Sequence, residues 1–248
     1  MKKLLSALLF ALLIVSAAWA EDAPAGKRLP DEILYSYYDN SLIVGDSLVV
    51  DFRLFVRRQQ ADNPAFFSNV KFYAVDNYLL HSASVKNLIG AGPELRYNGM
   101  DVSLAWIMEK LQPRRVFIHA GSNDGVYDDM DRAGRYIDRI MALRDELSPD
   151  TEMCFFSLTP VIGKIGARRQ QVYDAYNAWL EAKCADVGAV YVDIATGLKG
   201  EDGFLPDDLC YDGEFHLNSR GNAVWAQELL DYAQSRYEAG LWEPAGAD

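Results

Sequence analysis

The sequence predicts an α/β fold, a three-layer α/β/α sandwich on a five-stranded parallel sheet. Two observations carry this. Five short apolar runs of strand length alternate with longer amphipathic stretches of helical length, and such alternation implies parallel strands with helices on both faces. The 248 residues also suffice for one such domain with a sizeable core, and would crowd two. No repeat at a fixed period interrupts the pattern.

The elements follow in order. Ser41-Leu42-Ile43-Val44 reads as a buried strand, and residues 49–58 as an amphipathic helix. Residues 70–75 form the second strand. Asp101 is the expected N-cap of a helix ending at Leu111. Residues 115–120 form the third strand and residues 130–147 a long amphipathic helix. The fourth strand, 152–158, stops at Thr159-Pro160. A helix at 168–185, a fifth strand at 189–194 and a last helix at 222–237 complete the set. The expected strand order is the flavodoxin-like 2-1-3-4-5, in which ligands bind beyond the carboxyl ends of the strands.

The first 20 residues stand apart. Lys2 and Lys3 precede a nearly wholly apolar stretch, residues 4–15, and Ala18-Trp19-Ala20 supplies small residues before Glu21-Asp22. This is the pattern of a cleaved secretory signal, and the run is shorter than the roughly 20 residues of a membrane span. The expectation is a periplasmic or extracellular protein with no stable membrane insertion after cleavage. Residues 21–39 read as an N-terminal leader, and 40–248 as a single catalytic domain.

The balance of 36 acidic against 24 basic residues gives a net charge of −12. Such a surface repels nucleic acid and anionic lipid headgroups, so no nucleic-acid partner is expected. Three cysteines leave at least one unpaired. Cys154 lies in an apolar run, while Cys184 and Cys210 remain open to pairing.

Three polar blocks fall just after predicted strands: Gly45-Asp46-Ser47-Leu48, Gly121-Ser122-Asn123-Asp124, and Asp212-Gly213-Glu214-Phe215-His216-Leu217-Asn218. A parallel sheet brings all three to one edge. Acyl transfer needs these residue types. A serine hydroxyl is a weak nucleophile until a base takes its proton, and His216 is the candidate base for Ser47. The other imidazole nitrogen needs an acceptor, and Asp212 is a nearby carboxylate. A tetrahedral oxyanion needs preorganised donors, for which the Ser47 amide and the Asn123 side chain are candidates.

These blocks resemble the SGNH-hydrolase, or GDSL-esterase, superfamily, whose four blocks supply Ser, Gly, Asn and His. Ser47 matches the first block, Asn123 the third and His216 the last, and the resemblance runs over residues 38–237. The stretch 193–218 is similar to bacterial members of unassigned substrate. The resemblance implies an esterase or deacetylase that uses no metal and no cofactor. Two departures stand out. The second block's Gly is missing, and Asn77 occupies its place as the non-Gly residue most tolerant of positive φ. The family's Asp lies three residues before His, where this chain has Gly213, with Asp212 one place earlier. Asp212 in a bulged loop, Glu214, or a backbone carbonyl remain open as the orienting group. The rival nucleophile elbow Gly-x-Ser-x-Gly fails at Val49.

The remaining polar residues read more plainly. His119 is expected in the core or beside the site, and His81 beside the second block. The three histidines lack metal-ligand spacing. Asp46 and Asp124 read as loop braces, Tyr127 as a loop contact, and Arg168 and Arg169 as a solvated helix start. The expected function is hydrolysis of acyl esters, acetyl foremost, on a small molecule or on a carbohydrate or cell-wall polymer. A lipid esterase or thioesterase is the alternative within the same chemistry. A non-catalytic carbohydrate-binding module is the alternative outside it.

Overall fold

The computed structural model describes residues 28–87 and 92–245. The predicted signal segment, 1–20, lies outside the described residues. In chain order come α1 (Asp31–Tyr35), a single 3-10 turn (Ser36–Tyr38), β1 (Ser41–Gly45), α2 (Ser47–Asp62), β2 (Val70–Ala74) and α3 (Leu80–Ala83). Next are β3 (Leu95–Tyr97), β4 (Met100–Val102), α4 (Leu104–Leu111), β5 (Arg115–His119) and α5 (Met130–Leu147). The last are β6 (Glu152–Phe156), α6 (Ala167–Val187), β7 (Val190–Val192), α7 (Ala195–Leu198) and α8 (Ser219–Glu238).

The five-stranded sheet has the order β2-β1-β5-β6-β7, and every pairing is parallel. Counted by sheet strand, this is the expected 2-1-3-4-5. Side chains alternate between faces along each strand. Ile43, Phe117, Cys154 and Phe156 join one core with α1, α2 and α8. Leu42, Val44, Val116, Ile118, Met153 and Phe155 join a second core with α4, α5 and α6. The central strands β1, β5 and β6 therefore read as largely apolar runs because both of their faces are covered. Among the described residues, no helix is long and apolar enough to cross a membrane.

Three local expectations are corrected. The segment before residue 40 is packed domain rather than leader from Asp31 onward. Tyr37 and Tyr38 are fully buried, and the Tyr38 hydroxyl donates to the Leu229 carbonyl at 2.6 Å. Arg115 donates to the Tyr37 carbonyl at 2.6 Å and lies 3.8 Å from the centre of its ring. Aromatic burial outweighed the Pro- and charge-rich start of this segment.

The helix expected from Asp101 begins at Leu104. Its N-cap is Ser103, whose hydroxyl accepts from the Trp106 amide at 3.1 Å. Asp101 instead sits in β4, paired with Arg96 of β3. Asn98 and Gly99 both have positive φ, +50° and +84°, the backbone of a tight two-residue hairpin turn. The flanking helices α2 and α8 each start earlier than expected, at Ser47 and Ser219, because Asp46 and Asn218 cap them with side-chain oxygens. Cys184 and Cys210, whose pairing the sequence left open, are free thiols, as is Cys154. The first two belong to the cores on opposite faces of the sheet.

Gly45 places the site. A Cβ there would lie 2.5 Å from the His119 carbonyl and 2.5 Å from Val49 Cγ2. Only glycine allows the end of β1 to pass so close to β5 while turning into α2. Below that turn Phe52 stacks on Trp225, with ring centres 4.9 Å apart and both side chains fully buried. Phe52→Ala is expected to lower unfolding free energy by about 3–5 kcal/mol in urea titration.

Candidate active site

The predicted blocks meet at the carboxyl edge of the sheet. Ser47 is the first residue of α2, so its amide is one of the orphan donors at the positive end of that helix. His216 lies on the loop before α8, which loops back against α2: the Tyr211 hydroxyl donates to Asp51 Oδ2 at 3.1 Å. His216 Nε2 is 2.9 Å from Ser47 Oγ, and its Nδ1 is 2.5 Å from Asp212 Oδ2. The Phe215 and Tyr211 rings flank the imidazole, at centre distances of 4.4 and 5.7 Å.

The shifted aspartate is accommodated by a turn. Asp212 Oδ1 accepts from the amides of Glu214, Phe215 and His216 at 2.8, 3.1 and 3.2 Å. The Cys210 thiol donates to the same oxygen at 3.1 Å. Gly213, at φ +77°, supplies the left-handed residue that closes this turn. The extra residue is thus taken up in the loop, and the carboxylate on His216 is that of Asp212. Burial works against its charge, but hydrogen bonds from His216, Cys210 and the Glu214 and Phe215 amides outweigh it. They hold the Asp212 carboxyl well below its ordinary range.

Asn77 follows β2 with φ +60°, in the left-handed region that Asn tolerates better than other side chains. Asn123 follows β5. Its Nδ2 donates to Asp46 Oδ2 at 3.3 Å and to the Tyr78 carbonyl at 3.4 Å. Both bonds are at the outer limit of normal length. Ser47, Asn77 and Asn123 therefore sit just beyond the carboxyl ends of three adjacent strands, β1, β2 and β5.

Other polar residues hold this frame. Asp46 is 1% exposed. It accepts from the Leu48 amide, from His119 Nδ1 at 3.2 Å and from Ser122 Oγ at 3.0 Å. His119 is fully buried beneath the site against Trp225. Asp124 Oδ2 accepts from the His81 amide at 3.0 Å, and His81 packs on Tyr136. Tyr127 packs edge-on against Tyr173, and Arg168 lies exposed in the first turn of α6. The sequence offered no role for Ser122, Cys210 or the flanking Tyr211. Their positions beside Asn123 and Asp212 were the available signal.

The Asp212 carboxyl has a clear pH consequence. A depressed folded-state value stabilises the fold above the unfolded value and loses that effect in acid. The stability gap between wild type and Asp212→Asn is therefore expected to be full above about pH 5. It should shrink as pH falls through about 4 and below, as read from denaturant titrations across pH.

The model of the GDSL-like lipase/acylhydrolase family matches residues 44–224. No curated protein sequence matches the chain. Among solved structures, a Streptococcus pneumonia protein named for platelet activating factor is similar, with 18% identity and a TM-score of 0.57. That alignment covers 92% of this chain and 98% of the other. A GDSL-like lipase from Bacteroides thetaiotaomicron shares 14% identity, covering 85% and 92%, with a TM-score of 0.54. A variant of an acetyl-xylooligosaccharide esterase from Geobacillus shares 15% identity, covering 78% and 93%, with a TM-score of 0.53. At these identities the structural likeness is one of fold. The family match spans all three blocks, from before Ser47 to beyond His216, and the chain belongs to the GDSL-like lipase/acylhydrolase family of serine ester hydrolases.

Proposed function

We propose that the protein is an exported esterase that removes small acyl groups, acetyl foremost, by a Ser47–His216–Asp212 acyl-enzyme mechanism. The observation that carries this reading is the continuous chain from Ser47 Oγ through both imidazole nitrogens to Asp212. His216 Nε2 takes the Ser47 proton as Oγ attacks the ester carbonyl. Asp212 holds the ring with Nδ1–H directed at its carboxylate and stabilises the imidazolium that forms. The imidazolium then protonates the leaving alcohol. Water, deprotonated by the same His216, releases the acyl group and restores Ser47.

The oxyanion of each tetrahedral intermediate takes hydrogen bonds from the Ser47 amide, the Asn77 amide and Asn123 Nδ2. The long bonds that now hold Asn123 cost little to exchange for a charge-assisted one. The α2 N-terminus adds its positive end. A carbohydrate or cell-wall ester as substrate is supported by the fold shared with an acetyl-xylooligosaccharide esterase and by the export signature of residues 1–20. The assembled chain also favours hydrolysis over a carbohydrate-binding module without activity.

Turnover of p-nitrophenyl acetate by wild-type protein is the expected outcome. Ser47→Ala should lower kcat at least about a thousandfold. Equal rates in the two proteins would remove Ser47 from the mechanism. Asn123→Ala should lower kcat about a hundredfold with little change in KM. A pure KM effect would assign Asn123 to substrate binding instead.

A further inference from the structure

A cavity of about 380 Å³ lies along the outer edge of β2, between α2 and the β3–β4 hairpin. Arg53 and Arg57 of α2, Lys71 of β2 and Arg96 of β3 line it, and no carboxylate does so among the described residues. This is unexpected in a chain with 36 acidic and 24 basic residues. Asp101 pairs with Arg96 from the side at 2.9 Å. Arg53, Arg57 and Lys71 make no ion pair among the described residues.

Arg53 is the telling member. Its Nε is buried without a hydrogen-bond acceptor. Burial first, then repulsion from Arg57, pulls its guanidinium below the ordinary value, and Asp76 acts in the opposite sense. Two arginines one turn apart on a helix repel each other. A bound anion would relieve that repulsion and supply the missing acceptor.

The shape narrows the anion's class. Arg53, Arg57 and Gln60 extend the cleft over about 10 Å of α2, longer than a lone oxyanion. Tyr73 and Tyr97 lie in it with their rings stacked, 6.5 Å apart and 19° from parallel. Cations in series beside aromatic faces suit a chain of sugar rings carrying acid groups, with Arg forks for carboxylate or phosphate. The cleft begins six residues after Ser47 on the same helix, about 9 Å along its axis. Its neighbour Asp76 adjoins Asn77 of the proposed oxyanion site.

We propose that this cleft binds the acid groups, carboxylate or phosphate, of an anionic oligosaccharide whose ester group reaches Ser47. The substrate half of this inference rests on the esterase reading above, and the anion-binding half does not.

Calorimetric titration of the wild-type protein with tetragalacturonate, tripolyphosphate and neutral xylotetraose tests it. At least one anionic probe should bind, and added salt should weaken it. The double variant Arg57→Gln/Lys71→Gln should raise its Kd about tenfold or more, with circular dichroism reporting an intact fold. Arg139→Gln, on the exposed surface of α5, should leave Kd unchanged. Tetragalacturonate binding assigns the acid to carboxylate, and tripolyphosphate binding alone assigns it to phosphate. The proposal is overturned if neither anion binds, if xylotetraose binds equally well, or if the double variant binds like wild type. Failure to bind beside intact p-nitrophenyl acetate turnover would remove the cleft and leave the esterase. Binding without turnover would do the reverse.

Discussion

The buried carboxylate of Asp46 is the constraint on which the site depends. It is almost without solvent, and an unpartnered charge there would cost several kcal/mol. Four donors answer it: the Leu48 amide, His119, Ser122 and Asn123. The first belongs to the start of α2 and the others to the end of β5 and its loop. One carboxylate thereby locks the helix bearing Ser47 to the loop bearing Asn123. Gly45 makes this closeness sterically available. Asp46 and His119 act as positioning residues, since the Asp46 side chain bonds to Leu48, His119, Ser122 and Asn123 rather than to the side chains of Ser47, His216 or Asp212.

The third participant arrives differently. His216 is carried by a long connection after the last sheet strand, with no strand to fix it. Its placement relies on hydrogen bonds within the loop and on ties to neighbouring segments, among them the Ile162 amide donating to the Glu214 carbonyl at 2.9 Å. Asp212 Oδ1 gathers three consecutive amides, which leaves Oδ2 for the imidazole. The same carboxylate therefore folds the loop and orients the ring. Tyr211 ties that loop to α2 through Asp51, so the base and the nucleophile are referenced to the same helix.

Much of this was legible in the sequence. The five strands and the sequence positions of Ser47, Asn123 and His216 follow from apolar periodicity and polar blocks at strand ends, while the strand order was expected by analogy with the flavodoxin-like arrangement. Those signals are strong because a strand buried on both faces has few alternatives. The errors fall where local chemistry competes. Asp101 looked like a helix cap, but the Asn98-Gly99 turn drew it into a hairpin and left the cap to Ser103. The tyrosines before residue 40 carry no period, so the distant partners they pack on, Arg115 and α8, were not legible. The role of Asp212 could only be posed as a choice, because a single residue's slack in a loop is decided by backbone geometry such as the positive φ of Gly213. The cationic cleft was equally hidden, since α2, β2 and β3 each contribute part of it and only the fold brings Arg53 and Arg57 beside Lys71 and Arg96.

The account stands or falls on Ser47 being the group that attacks. The direct measurement is reaction of the folded wild-type protein with a fluorophosphonate probe, followed by protease digestion and mass spectrometry of the modified peptide. A single adduct on Ser47, absent when His216 is replaced by Ala, is the predicted result. An adduct on another residue, or no adduct on folded protein that still turns over esters, would contradict it.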